Sequence, residues 1–109
     1  MTDPVAAAQA SSGFRQLALC WFRRKDYEQA KALMEDADRL YDDYDTWLKE
    51  GWAFEREMSD KGVRTVRIRF DEQSFLLFCA THAMPRDGVA RAEWAAYEAI
   101  RRATPPARR

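Results

Sequence analysis

The sequence predicts a mainly α-helical domain that contains one short β-strand. Apolar residues recur at helical spacing through most of the 109 residues, whereas residues 63–70 alternate between apolar and polar side chains. A hydrophobic content of 47% is sufficient to build the core of one domain of this length. We expect a flexible leader at residues 1–11, an acidic helical part at 12–62, a basic strand-helix-helix part at 63–103 and a disordered tail at 104–109.

The acidic part is predicted to begin with a helical hairpin. Its first helix covers about residues 12–24, and its second covers about residues 26–41 with Asp26 as the N-cap. The hairpin resembles a single tetratricopeptide repeat, because seven residues fall at or near the large and small positions of that family. These residues are Phe14, Leu17, Ala18, Trp21, Ala30, Met34 and Ala37. The alternative is a helical hairpin that is not a repeat, since solenoids need three or more units.

A third helix is predicted to begin near Asp43 or Asp45 and to end before Gly62. It carries two tryptophans, Trp47 and Trp52. If these side chains are exposed, they can dock a protein partner, because an aromatic helix face is a common recognition surface. One predicted function is therefore a non-enzymatic protein-interaction module or adaptor that does not bind nucleic acid.

Residues 63–70, VRTVRIRF, are predicted to form the only strand. Alternation places Val66, Ile68 and Phe70 on an apolar face. The polar face carries Thr65, Arg67 and Arg69. A single strand leaves its backbone groups unpaired, and the earlier residues offer only marginal strand candidates. We therefore expect the strand to pair with its own copy across a homodimer, with the apolar face as the dimer interface.

Two helices are predicted after the strand, with Asp71 and Asp87 as their N-caps and the second helix at about residues 88–103. The order strand, helix, turn, helix over residues 63–102 resembles the ribbon-helix-helix superfamily of dimeric DNA-binding proteins. That resemblance implies a small homodimeric DNA-binding protein, such as a transcriptional regulator, whose paired ribbon enters the major groove. The DNA-contacting residues it implies are Thr65, Arg67, Arg69 and Arg86.

Two features of the chain depart from this family. About sixty residues precede the strand here, whereas the family places its strand near the N-terminus. Asp87 also occupies the helix cap that a phosphate would approach. The alternative for the arginines is a solvated face on an edge strand, where charge prevents further sheet pairing.

Charge is unevenly distributed along a chain with no net charge. Residues 1–62 carry nine Lys or Arg against thirteen Asp or Glu, and residues 63–109 carry nine against five. The basic half suits an anionic partner such as duplex DNA, or it attracts the acidic half within the fold. No secretion-type leader or bilayer-length apolar segment is evident, so we expect a cytoplasmic protein without membrane contact.

The sequence gives little support for an enzyme, a cofactor or a metal site. Cys20 and Cys79 lack paired spacing and are expected to be buried free thiols. Cys79 and His82 lie three apart on a predicted helix, but a closed metal site needs two more ligands and the chain has one histidine. Phosphate-binding loops, nucleophile elbows and dinucleotide fingerprints are missing from the sequence.

Overall fold

The computed structural model describes residues 7–9 and 16–103, and these residues form three strands and four α-helices. The strands are β1 (Ala7–Gln9), β2 (Gln16–Trp21) and β3 (Arg64–Arg69). The helices are α1 (Tyr27–Leu33), α2 (Tyr44–Asp60), α3 (Glu72–Thr81) and α4 (Gly88–Ala103). Short 3-10 turns occupy Arg24–Asp26 and Ala37–Arg39. The predicted mainly helical fold is confirmed.

The three strands form one sheet in the order β1-β2-β3. β1 is antiparallel to β2, and β2 is parallel to β3 with Cys20 opposite Ile68. A parallel pair needs a long crossover connection, and here α1 and α2 supply it. The predicted leader at 1–11 contains β1, while its other residues and the predicted tail at 104–109 lie outside the described residues.

The predicted first helix at 12–24 is wrong, because residues 16–21 form the central strand β2. Four consecutive residues of β2, from Ala18 to Trp21, are buried. A strand that is covered on both faces reads as a continuous apolar run, and periodicity cannot distinguish such a run from a buried helix segment. The expectation that β3 has no partner within its own chain is also wrong, because β2 pairs with it.

The second predicted helix is shorter than expected. α1 ends at Leu33, where Met34 turns to an extended conformation with ψ 139°. Polar contacts from α4 and from the segment before it hold the chain beyond this point, because the Arg86 backbone N–H donates to Glu35 and the Arg91 guanidinium of α4 donates to Asp36. Tertiary contacts therefore override the helical pattern that continues through residue 41.

The remaining elements agree with their local sequence signals. Asp43 accepts from the Thr46 N–H at 2.9 Å, and Asp71 accepts from the Ser74 N–H at 2.8 Å, as N-caps do. The boundaries of β3, α3 and α4 lie within a few residues of the predicted ones. Gly62 ends the turn after α2 with φ +77°, a conformation that favours glycine.

Helices cover both faces of the sheet. On one face, Trp47 of α2 packs edge-on against Trp21 with ring centroids 4.9 Å apart. On the other face, α4 contacts the strands, and the ring centroids of its Trp94 and of Phe70 are 5.8 Å apart. Aromatic contacts of this kind stabilise a small core beyond the area that they bury. No helix in the described part of the chain combines the length and apolarity that crossing a membrane requires.

Candidate interaction edge on strand β3

The apolar residues of β3 lie in the core of their own chain. Ile68 and Phe70 are buried, and Val66 is partly buried against the same core. Helix α4 and its neighbours cover these side chains, so their burial does not require a second copy. Pairing of β3 across a homodimer stays a prediction, and it would have to use the outer edge of the strand.

The outer edge of β3 is open in the described part of the chain. β3 is the last strand of the sheet, and the Phe70 N–H donates to the Trp21 carbonyl at 2.9 Å. Alternate residues of a strand bond the same neighbour. Thr65, Arg67 and Arg69 therefore direct their N–H and C=O groups away from β2. Within residues 7–9 and 16–103, no hydrogen bond occupies these groups.

The Arg67 side chain is held on the α2 face of the sheet. Its Nε and Nη2 atoms donate to the two carboxylate oxygens of Glu55 at 2.7 and 2.9 Å. Its guanidinium also lies 4.1 Å from the centroid of the Trp21 ring. The hydrogen bond to Glu55 raises the pKa of Arg67. To present its guanidinium to a base, Arg67 would have to break these contacts.

Arg64 and Arg69 have no counter-charge among the described residues. Both side chains are exposed, and neither forms a hydrogen bond or ion pair with any residue that the structure describes. Arg69 shares the strand face of Arg67, and Arg64 shares the face of Val66. Thr65, on the same strand face as Arg67, is half-buried. The alternation of the strand predicts a polar role for the face of Arg67 and Arg69, so it does not point to Arg64 on the opposite face.

Arg86 contacts the segment that follows α1. Its Nε donates to the Leu33 carbonyl at 2.6 Å, and its backbone N–H donates to Glu35 at 3.0 Å. The Glu35 N–H in turn donates to the Arg86 carbonyl at 2.8 Å. These bonds tie the turn before α4 to the end of α1. The structure does not bring Arg86 together with the β3 arginines through any of these contacts.

The two tryptophans of α2 have opposite environments. Trp47 is completely buried among aromatic rings, so its predicted role in docking a partner is corrected to a core role. Trp52 is 49% exposed and remains accessible. On the helical wheel, Trp52 lies about 60° from Glu55 and about 140° from Trp47. It therefore lies nearly opposite the buried face of α2, on the exposed side next to Glu55.

Other polar clusters in the described part of the chain are occupied by their own contacts. A cleft of about 170 Å³ lies where β2 and β3 end, but Arg23 is paired with Asp26 there and Gln29 donates to Glu72. Between α3 and α4, Ser74 donates to Glu98 and accepts from the Trp94 indole. Glu98 also accepts from Arg101 and Arg102, so the serine hydroxyl and this carboxylate are both engaged in structural contacts.

Both thiols are protonated at neutral pH. Burial raises the pKa of Cys20 to about 12 and also raises that of Cys79. The Nδ1 atom of His82 lies 2.9 Å from the Phe78 carbonyl oxygen, and the imidazole packs at a tilt against the Phe78 ring. Among residues 7–9 and 16–103, no group of three or more His, Cys, Asp or Glu side chains is arranged to hold a metal ion.

Comparison of the chain with protein-family models, curated proteins and solved structures found no match. The resemblances to the ribbon-helix-helix superfamily and to a tetratricopeptide repeat therefore stay predictions.

Proposed function

We propose that this chain is a non-enzymatic protein-interaction module that binds an extended segment of a partner protein along the outer edge of β3. The observation that carries the proposal is the row of outward backbone groups at Thr65, Arg67 and Arg69. An edge strand with unpaired N–H and C=O groups can accept one more strand, and main-chain hydrogen bonds then supply much of the affinity.

The surroundings of the edge favour a rigid docking surface. β3 pairs with the buried strand β2 over its whole length, and Ile68 anchors it in the core. The bond between Arg67 and Glu55 also fixes the strand to α2. Because the edge is already in strand conformation, a partner does not have to order it on binding.

Binding to duplex DNA through a base-reading ribbon is less well supported. A ribbon in the major groove needs one free face, whereas α2 and α4 pack on the two faces of this sheet. DNA binding stays a separate prediction, motivated by the basic composition of residues 63–109. A salt-dependent gel shift tests it, and replacement of Thr65, Arg67 and Arg69 by alanine tests whether these residues read the sequence.

Peptide selection provides the direct test of strand pairing. We would select binders to the full chain from a displayed library of random ten-residue peptides and compare Thr65→Pro with Thr65→Ala. The Thr65 N–H points outward, so proline removes a group that the partner needs without removing a hydrogen bond to β2. We expect the selected peptides to bind the alanine variant and to lose affinity for the proline variant.

The measurement requires a folding control. Circular dichroism and urea unfolding should show that the Thr65→Pro variant retains the native fold. If folded Thr65→Pro binds the selected peptides as tightly as Thr65→Ala does, the outer edge is not the binding surface and the proposal is wrong.

A further inference from the structure

We infer that the segment bound along β3 is acidic and belongs to a different protein, with acidic residues five positions apart opposite Arg64 and Arg69. This inference rests on the proposed strand pairing and adds the chemistry of the partner. It starts from the charge of the edge, since Arg64–Arg69 contains three arginines and no acidic residue.

Only one of the three arginine charges is compensated within the described chain. Glu55 neutralises Arg67, whereas Arg64 and Arg69 are exposed and make no ion pair there. Carboxylates on a neighbouring strand would lie close to these guanidinium groups, because directly opposed residues have Cβ atoms about 4.5–5.5 Å apart. Charge complementarity therefore selects an acidic strand.

The spacing of the two exposed arginines, Arg64 and Arg69, defines the pattern that the partner needs. Arg64 and Arg69 are five residues apart, so their side chains lie on opposite faces and about 17 Å apart along the strand. A partner strand has the same rise per residue. Acidic residues at positions i and i+5 can consequently face both arginines, whether the partner runs parallel or antiparallel to β3.

A second copy of β3 does not meet that requirement. Antiparallel self-pairing centred on Arg67 would place that residue opposite its own copy and would place Arg69 opposite Thr65. Because the strand has no acidic residue, every register of β3 on β3 leaves Arg64 and Arg69 without a carboxylate within the strand. Like charges on directly opposed residues destabilise a pair of strands. The edge is therefore better suited to a different, acidic chain.

Fluorescence anisotropy with designed peptides tests this inference on the full chain. The probe is a labelled ten-residue peptide of Val and Thr with two glutamates five positions apart. One matched peptide carries glutamines instead, and another keeps the glutamates but has N-methylated backbone nitrogens along the pairing edge. We expect the glutamate peptide to bind about twofold to thirtyfold more tightly than the glutamine peptide, as two exposed ion pairs would give.

Variants of the chain show which residues cause the preference for the glutamate peptide. Arg64→Gln and Arg69→Gln should each reduce the preference for glutamate, and Lys25→Gln should leave it unchanged, because Lys25 is an exposed cation in the 3-10 turn after β2. The preference should also shrink in 1 M salt, where exposed charges are screened.

The outcomes separate the two proposals. If the glutamate and glutamine peptides bind equally while the N-methylated peptide does not bind, strand pairing stands and the acidic preference is wrong. If the N-methylated peptide binds as tightly as its parent, or if neither unmethylated peptide binds, the proposed function fails. If light scattering shows a dimer that Thr65→Pro converts into a monomer, the second copy occupies the edge and the inference about the partner is overturned.

Discussion

The ion pair between Asp36 and Arg91 provides a sharp test of how the segment after α1 is held. The Arg91 side chain is 1% exposed and donates to the two Asp36 carboxylate oxygens at 2.9 and 3.0 Å. Its Nε atom is buried and has no hydrogen-bond partner among the described residues. Asp36→Asn keeps the shape of the side chain but leaves the buried guanidinium without a counter-charge.

We expect Asp36→Asn to lower the free energy of unfolding by about 3 kcal/mol at pH 7. Removal of one partner from a buried ion pair typically costs 3–5 kcal/mol. The Asp36 side chain is 14% exposed, so water can compensate part of the loss and the lower end of that range applies. For a domain of this size, the melting temperature should fall by roughly 10–20 °C.

The same pair predicts a loss of stability in acid. Burial alone would raise the pKa of Asp36, but the hydrogen bonds and charge of Arg91 outweigh it and hold the pKa below its usual value. The stabilisation is complete above the pKa of an unfolded aspartate, about 3.9, and is lost as the pH falls through the lower pKa of the folded state. The Asp36→Asn variant should lack this component of acid unfolding.

Urea unfolding followed by tryptophan fluorescence measures these effects. Asp38→Asn is the matched control, because Asp38 is an exposed acid in the same segment and forms no ion pair with the described residues. Arg91→Met in the Asp36→Asn background should recover part of the lost stability, since it removes the unpaired charge. If Asp36→Asn and Asp38→Asn differ by less than about 0.5 kcal/mol, the reasoning about the buried pair is refuted.

Two further predictions concern the core. Trp47→Ala should lower the free energy of unfolding by about 3–5 kcal/mol and Trp52→Ala by less than about 1 kcal/mol, because only Trp47 is buried. If urea titrations show that the two variants lose similar amounts of unfolding free energy, the assignment of Trp47 to the core and Trp52 to the surface is contradicted. Cys20 and Cys79 should resist iodoacetamide at pH 7.5 in the native state and react in urea, since burial keeps both thiols protonated. Alkylation is measured by mass spectrometry, and reaction of either thiol in the native state would contradict this prediction.

Local sequence signals predicted the C-terminal two-thirds of the fold. Asp43, Asp71 and Asp87 each accept a hydrogen bond from a backbone N–H three residues later, so the starts of α2, α3 and α4 could be read from single side chains. Gly62 marked the end of α2 in the same way. The alternation of β3 was also visible, because its two faces meet different surroundings.

The candidate site was only partly predictable. Arg67 and Arg69 were identified from alternation, but nothing local showed that Arg67 is bound to Glu55, twelve residues earlier on α2. Arg64 could not be identified from the sequence, because its surroundings depend on which edge of β3 pairs with another strand. The difference between Trp47 and Trp52 likewise depends on the side of α2 that meets the sheet.

The sequence by itself determined the caps, the turns, the position of β3 and the basic character of that strand, since these properties depend on residues that are close together in the chain. Only the tertiary structure decided that residues 16–21 form a strand rather than a helix. Their apolar run satisfies either conformation, and pairing with β3 almost fifty residues later selects between them. The same pairing fills one edge of β3 and leaves the other without a neighbouring strand among the described residues, because the sheet order is β1-β2-β3.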